Sequence, residues 1–361
     1  MLIFALAMNK LKKYKVIGLM SGTSLDGVDV LACEFSLAKR DWEYAIIQGE
    51  TFSYPNDILE RLKSSQNLSG LKLAQLNTDY GNYLGELVNT FINNYNYKPE
   101  LIASHGYTVF HEPQKGLTLQ IGSGAEIASK TEIKTICDFR TNDVALGGQG
   151  APLVPIGDEL LFSKYIACLN LGGFSNISYN NEENSRVAFD ICAVNFVLNH
   201  LVQKLGLNYD KEGKFGQSGK VIDELLLQLN ELGYYKQEPP KSLGREFVES
   251  VIFPIFEDKY STVDIMATFY EHVALQLSAV IDTLPMGQIL ITGGGAFNTY
   301  LINLLRSKCS HDLIVSDKQL IEFKEALIFG FLGVLRELEI PNCLASVTGA
   351  LKDNIGGCVY I

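Results

Sequence analysis

The sequence predicts an α/β protein built from one unit used twice, and three observations in its 361 residues carry that expectation. Two strand-turn-strand-turn-strand stretches occur, one in each half of the chain. Each is followed by a long helical pattern that runs into an apolar strand ending in a turn of small residues. Between the halves, GGQGAPLVP (Gly147 to Pro155) breaks the periodicity with glycines and prolines.

In the first stretch KVIGLM is an apolar strand, SGTSLDG a small polar turn, VDVLACEF an alternating strand, SLAKRD a charged turn and WEYAIIQGETF a third strand. In the second, YIACLNL, GGFSN, ISYN, NEENS and RVAFDI follow in the same order. The helical pattern YGNYLGELVNTFINNYNY then leads to LIASHGYT, and FYEHVALQLSAVIDTL leads to ILITGGGAFN. Such a repeat predicts duplicated ribonuclease-H-like domains facing each other across a central nucleotide cleft, residues 1–150 forming one and 151–361 the other. The polar, turn-rich stretch 209–245 reads as an insertion near the cleft mouth.

An apolar content of 47% excludes a disordered chain, and 30 basic against 41 acidic residues give a net charge of −11. That charge repels polyanions, so neither nucleic acid nor an anionic membrane is expected as a partner. Seven cysteines, odd in number and without a C-x-x-C pair, read as reduced residues of a cytoplasmic protein. The five histidines are scattered, and no metal-ligand set is expected. The opening MLIFALAMNKLKKYK has positive charge after its apolar run of about eight residues, the wrong order for an export signal. Translation from Met8, with residues 1–7 as an upstream extension, is the expected reading. No stretch approaches the roughly 20 apolar residues of a membrane span.

Three glycine turns invite a phosphate-bearing ligand. SGTSLDG sets Gly22 and Gly27 around two hydroxyls and a carboxylate, where N–H groups can close on phosphate oxygens or simply make a tight hairpin. It has no Walker signature and leads into a strand, which excludes the P-loop and the dinucleotide fingerprint. LNLGGFSN supplies a second turn at the equivalent point of the second stretch, so a pair could clamp phosphates. ITGGGAFN ends a strand and opens a helix, where Gly293, Gly294 and Gly295 allow close approach of a ligand.

Four polar positions can do chemistry. Asp190 in AFDICAVN ends an apolar strand just before a helical pattern, which suits a general base for phosphoryl transfer or an N-cap of that helix. Arg140 in DFRTND can be held by Asp138 or Asp143, or can bind a substrate carboxylate bidentately. His105 and Thr108 in SHGYTVFHEP offer contacts to sugar hydroxyls, with a structural histidine as the alternative. Glu325, in the apolar helical pattern EFKEALIFGFLGVL, either faces solvent or binds something, because an unpartnered buried carboxylate is costly.

Together these blocks resemble the anhydro-N-acetylmuramic acid kinase family of the actin, heat-shock chaperone and sugar kinase superfamily. The resemblance covers about Lys15 to Ile361 and rests on GLMSGTSLDGVDV, SHGYTVFH, LQIGSG, DFRTNDVALGGQGAPLVP, NLGGFSNIS, PPKSLGREF, ITGGGAFN, EALIFGFL and SVTGA in order. It implies an actin-like ATPase fold and a reaction in which ATP and water convert 1,6-anhydro-N-acetylmuramic acid to N-acetylmuramic acid 6-phosphate in peptidoglycan recycling. Asp190 matches the catalytic aspartate, which deprotonates the water attacking the anomeric carbon. Gly22, Thr23, Ser24, Asp26, Gly27 and Asp29 match the first ATP loop, Gly172 and Gly173 the second phosphate turn, and Gly293 to Gly295 with Asn298 the loop near the nucleoside. His105, Arg140, Asn195 and Glu325 fall to the amino sugar, Mg2+ accompanies ATP, and the family leads one to expect a homodimer. Two departures stand out: DICAVN replaces D-T-G-P-x-N, keeping Asp190 and Asn195, and Tyr107 replaces the glutamine of S-H-G-Q-T-V.

Two other readings compete. A kinase of the same fold acting on a free hydroxyl would incorporate no oxygen from labelled water at the anomeric carbon. An ATPase of the actin or chaperone kind would use hydrolysis for conformational change, and the chain carries no peptide-binding region beyond its two halves.

Overall fold

The computed structural model describes residues 12–22, 24–39 and 41–361. The expectation that residues 1–7 are an upstream extension lies outside the described residues. Two compact units emerge, one made of Met1–Leu161 with Phe323–Ile361 and the other of Phe162–Glu322.

In unit one, β1 (Lys13–Ser21), β2 (Val28–Ala38) and β3 (Asp41–Phe52) form an antiparallel meander. Helix α1 (Gly70–Tyr95) follows, then β4 (Leu101–Ser104), the hairpin of β5 (Tyr107–Glu112) and β6 (Leu117–Ile121), helix α2 (Gly124–Thr131) and β7 (Thr135–Cys137). In unit two, β8 (Ala167–Leu171), β9 (Phe174–Asn180) and β10 (Arg186–Ala193) form the second meander. Helices α3 (Asn195–Gln203) and α4 (Thr262–Ile281), strand β11 (Gln288–Thr292), helix α5 (Thr299–Arg306) and strand β12 (Asp312–Val315) complete it. Helix α6 (Lys318–Glu337) and strand β13 (Cys358–Tyr360) end the chain.

Both sheets share one topology. Unit one orders its strands β13-β7-β4-β1-β2-β3 and unit two β10-β9-β8-β11-β12. Each is a meander whose first strand pairs in parallel with the strand after the long helix, which in turn pairs in parallel with the next. The expected duplication of ribonuclease-H-like domains is therefore present, strand for strand, with β13 as an addition to unit one.

Central strands such as β4, buried at every residue, read as continuous apolar runs because both faces are covered. The edge strand β3 alternates and buries no residue fully. In unit one, Ile17, Leu19, Val30 and Ile102 pack with Leu84, Val88 and Phe91 of α1. In unit two, Leu169, Ile177 and Ile191 pack with Phe269, Val273 and Leu277 of α4. Each such side chain contributes about 1.5–3 kcal/mol by leaving water. The helix at Gly70–Tyr95 starts ten residues before the expected pattern at Tyr80, since 80 − 70 = 10, because GLKLAQLNTD already carries an apolar face with Leu76 buried.

The domain boundary differs from the expected single break near residue 150. Unit one extends to Leu161 and takes the chain back from Phe323. The physical reason is the packing of α6 on the first sheet. A Cβ on Gly18 would stand 2.0 Å from the Ala326 carbonyl oxygen, and one on Gly333 2.7 Å from the Ala103 Cβ. Gly157, in the helix Val154–Leu161, is filled in the same way by Ile328. Bare backbone at these points lets α6 lie close against β1 and β4, and β13 then pairs with β7.

Gly18→Ala is therefore expected to destabilise the protein by about 2 kcal/mol or more, since a backbone carbonyl cannot step aside. Gly70→Ala, whose Cβ would meet nothing within 4 Å, should stay within about 0.5 kcal/mol of the parent. Denaturant midpoints of the two variants check the contrast.

Candidate functional site

In unit one the strand ends carry a linked set of polar groups. His105 follows β4 and is 5% exposed. Its Nδ1 lies 2.8 Å from the Gly106 carbonyl oxygen, which can only accept, so Nδ1 is the protonated nitrogen and Nε2 an acceptor. Arg140 donates to Nε2 from Nε at 3.1 Å and from Nη2 at 2.8 Å, and its Nη1 donates to the Gly150 carbonyl at 2.7 Å. Burial and then the Arg140 charge lower the imidazole pKa to about 3, so it stays neutral. Phe329 of α6 packs edge-on at 4.6 Å between centroids and closes the other side of the ring.

Neither expected acidic partner holds Arg140. Asp143 is fully buried and accepts from Gly150 N–H (2.8 Å), Thr348 Oγ1 (2.9 Å) and Asn354 Nδ2 (2.8 Å). Asp138 accepts from the Thr141 hydroxyl at 2.6 Å. These acids shape the loop that carries Arg140, and a histidine and a carbonyl orient the guanidinium. Burial depresses the Arg140 pKa, and the Glu325 charge partly offsets it. Glu325 is exposed on α6. Crowding by protein still raises its carboxyl above the ordinary range, Arg140 pulls it down and Asp29 pushes it up.

At the end of β1, Gly22 and Leu25 close a turn through Leu25 N–H to Gly22 C=O (3.3 Å), leaving Ser24 and Asp26 exposed. Thr23 lies outside the described residues. Gly27 is buried and its Cβ position is 2.7 Å from the Phe52 carbonyl oxygen, so no other residue fits. Asp29, the second residue of β2, accepts from Thr51 Oγ1 at 2.6 Å.

In unit two, Asp190 lies within β10, and the following helix α3 begins at Asn195 with Val194 as its cap residue. The N-cap reading of Asp190 is thereby excluded. Its Oδ2 accepts from Leu243 N–H at 2.9 Å, and among the described residues nothing donates to Oδ1. Its carbonyl accepts from the Tyr234 hydroxyl at 2.6 Å and its N–H donates to the Lys241 carbonyl at 3.2 Å. Burial raises the carboxyl pKa and the Leu243 N–H lowers it. Tyr234, Lys241 and Leu243 went unassigned in the sequence; the signal for Lys241 and Leu243 was the block PPKSLGREF, which carried a resemblance and no role, and Tyr234 lies outside it. The stretch 209–245, expected near a cleft mouth, sends two short helices, Lys214–Ser218 and Asp223–Asn230, against α4 and covers Asp190.

The two glycine turns of unit two meet. A Cβ on Gly293, where φ is +81°, would fall 2.6 Å from Asn170 Oδ1, and one on Gly295 2.8 Å from the Leu171 Cβ. Asn195 Nδ2 donates to the Leu171 carbonyl at 3.3 Å. The carbonyls of Gly172 and Gly173 accept from Val194, Asn195 and Phe196 N–H, so the first turn of α3 is used by the protein itself. Gly294 keeps open space on the side where a Cβ would stand, and a Cβ on Gly173 would make only an ordinary contact, 3.8 Å from the Phe196 Cβ. Asn298 is buried, caps α5 through Leu301 N–H (3.1 Å) and donates to Tyr270 Oη (2.7 Å). Its side chain is thus committed to holding the turn.

The sequence pattern of anhydro-N-acetylmuramic acid kinase matches residues 14–361. The chain belongs to that family. A relative of that name from Hydrogenovibrio crunogenus is 33% identical over 95% of this chain and 97% of its own. One from Crocosphaera subtropica is 32% identical over 96% and 98%, and one from Francisella tularensis subsp. novicida 33% over 96% and 99%. Of the two departures, Tyr107 is 8% exposed in the unit-one core with Tyr54 and Tyr80, and Cys192, Ala193 and Val194 are fully buried in that of unit two.

The unfolded chain takes up a proton on His105 near pH 6.5, and the folded chain only near pH 3. Stability is therefore lost as pH falls below about 6.5, by about 1.4 kcal/mol per pH unit for this group. His105→Gln is expected to flatten that slope, measured by denaturation between pH 7 and 5.5.

Proposed function

We propose that this chain uses ATP and water to open 1,6-anhydro-N-acetylmuramic acid and phosphorylate its 6-oxygen, yielding N-acetylmuramic acid 6-phosphate in the cytoplasm during cell-wall recycling. The observation that carries the reading is Asp190: within a chain of this family it is a half-buried carboxylate with one oxygen bonded and the other open. Burial raises its proton affinity toward that of a working base, and the Leu243 N–H keeps the ionised form accessible.

In this reading Oδ1 of Asp190 takes a proton from water as the water oxygen bonds to the anomeric carbon. The anhydro C–O bond breaks, and the released 6-oxygen displaces ADP from the γ-phosphorus. Proton, nucleophile and leaving group balance without any redox partner. Positioning and charge neutralisation supply the rest of the acceleration. Arg140, oriented by His105 and Gly150, meets the sugar's carboxylate, and Glu325 and Asn195 meet its polar groups. His105 has both ring nitrogens committed and serves through Arg140 instead of touching the sugar.

The turns at Gly22 to Asp29, Gly172 to Gly173 and Gly293 to Gly295 take the nucleotide. Open space at Gly294 is what supports backbone approach there. Magnesium would be carried by the phosphates, offsetting their charge, with Asp26 and Asp29 the carboxylates at the first turn. We infer a homodimer on the family's precedent. No described helix is long and apolar enough to cross a membrane.

Asp190→Asn is expected to lower kcat by about 10²–10⁴-fold while leaving ATP binding intact. Product formation from the anhydro sugar, with 18O from labelled water appearing at the anomeric carbon, checks the reaction itself. Arg140→Lys loses the fork that His105 and Gly150 orient and should raise the sugar KM by about 10-fold or more.

A further inference from the structure

We propose that the segment from Tyr234 to Leu243 is a positioning element for Asp190, with the Leu243 N–H and the Tyr234 hydroxyl as its positioning groups. This rests on the reading of Asp190 as the base and adds what holds it.

Strand β10 is the outer strand of its sheet, with β9 on one side only. A bulge between Asp190 and Cys192 also shifts its register at this point. An edge residue at a bulge would ordinarily leave its outward N–H and C=O to water and its side chain free to change rotamer. Here, among the described residues, no sixth strand covers the edge. The segment instead takes all three groups: the Asp190 N–H donates to the Lys241 carbonyl, the Asp190 carbonyl accepts from Tyr234, and Oδ2 accepts from Leu243. Main chain and carboxylate are thus fixed from the same side.

The segment is itself anchored. Tyr234 is 6% exposed and packs against Phe247 with centroids 5.5 Å apart. Lys241 Nζ donates to the Gln237 carbonyl at 2.9 Å and sits 4.9 Å from the Tyr234 ring centre and 5.8 Å from that of Phe189. Tyr235 Oη lies 2.9 Å from Nε2 of His272 in α4, whose Nδ1 is 2.7 Å from Asn230 Oδ1. A chain of packed rings, Tyr234, Tyr235 and His272, therefore connects the Asp190 main chain to the buried face of α4.

The bond to Oδ2 also acts on chemistry, because an N–H donor favours the ionised carboxylate. Cys192 on its own strand and Tyr234 on the segment are the titratable groups that feel the Asp190 charge, and Tyr179 on β9, Tyr235, Glu238 and Lys241 on the segment and His272 on α4 belong to the elements packed against β10. Burial and the Leu243 N–H are the two influences resolved on Asp190 itself.

Leu243→Pro deletes the N–H, and Leu243→Ala keeps it. The Asp190 carboxyl can be titrated by 13C NMR in the full-length chain, its resonance identified by loss in Asp190→Asn. The expected result is a pKa about one unit higher in the Pro variant, a tenfold change in proton affinity, with the Ala variant matching the parent. The acid limb of kcat/KM should move up by the same amount. Equal titrations of the Pro and Ala variants would overturn the proposal. Should the Pro variant fail to fold, Tyr234→Phe is expected to cut kcat about tenfold or more at unchanged ATP KM, and an unchanged kcat would overturn it equally. A parent chain that forms no product sinks the proposed reaction and leaves the titration as the test of positioning.

Discussion

A carboxylate partly withdrawn from water and held by one backbone donor sets the terms for unit two. Burial disfavours the charge on Asp190, and a single backbone N–H from Leu243 favours it. More donors would make it a weaker base, and fewer would raise its proton affinity further. The bulge in β10, its place at the sheet edge and the segment packed over it leave one oxygen bonded and the other without a donor among the described residues. The same economy shows at α3, whose first N–H groups are taken by the Gly172 and Gly173 carbonyls, so the helix start orders the glycine turn instead of offering an anion site.

Unit one answers a different demand with the same topology. Its polar cluster needs a cation with a fixed orientation, and burial makes a second charge beside Arg140 unfavourable. A neutral histidine solves this. Gly106 fixes the tautomer, the tautomer presents a lone pair to the guanidinium, and the Arg140 charge in turn suppresses protonation of the ring. The two acids flanking Arg140 in sequence turn away to tie the loop and the SVTGA stretch together.

The departures from the family pattern fall in the cores. Cys192 accepts packing in place of glycine because its thiol lies against Ser175, whose hydroxyl also bonds the Cys192 backbone. Tyr107 joins the buried tyrosines of unit one.

The two meanders, their glycine turns, the helices that follow and the duplication were legible in the chain, because strand period, turn chemistry and apolar patterning are local and act over a few residues. So were Asp190, Arg140 and the glycine turns as candidates, since strand ends and glycines mark where backbone meets a ligand. What only the tertiary structure decided involves partners distant in sequence. The return of α6 to unit one depends on Gly18 meeting Ala326, 308 positions later because 326 − 18 = 308. The choice of His105 over Asp138 for Arg140, the release of Asp190 from a capping role and its hold by Leu243 likewise depend on which surfaces pack together. No local rule encodes that, because a hydrogen bond or a van der Waals contact is read in ångströms and not in sequence separation.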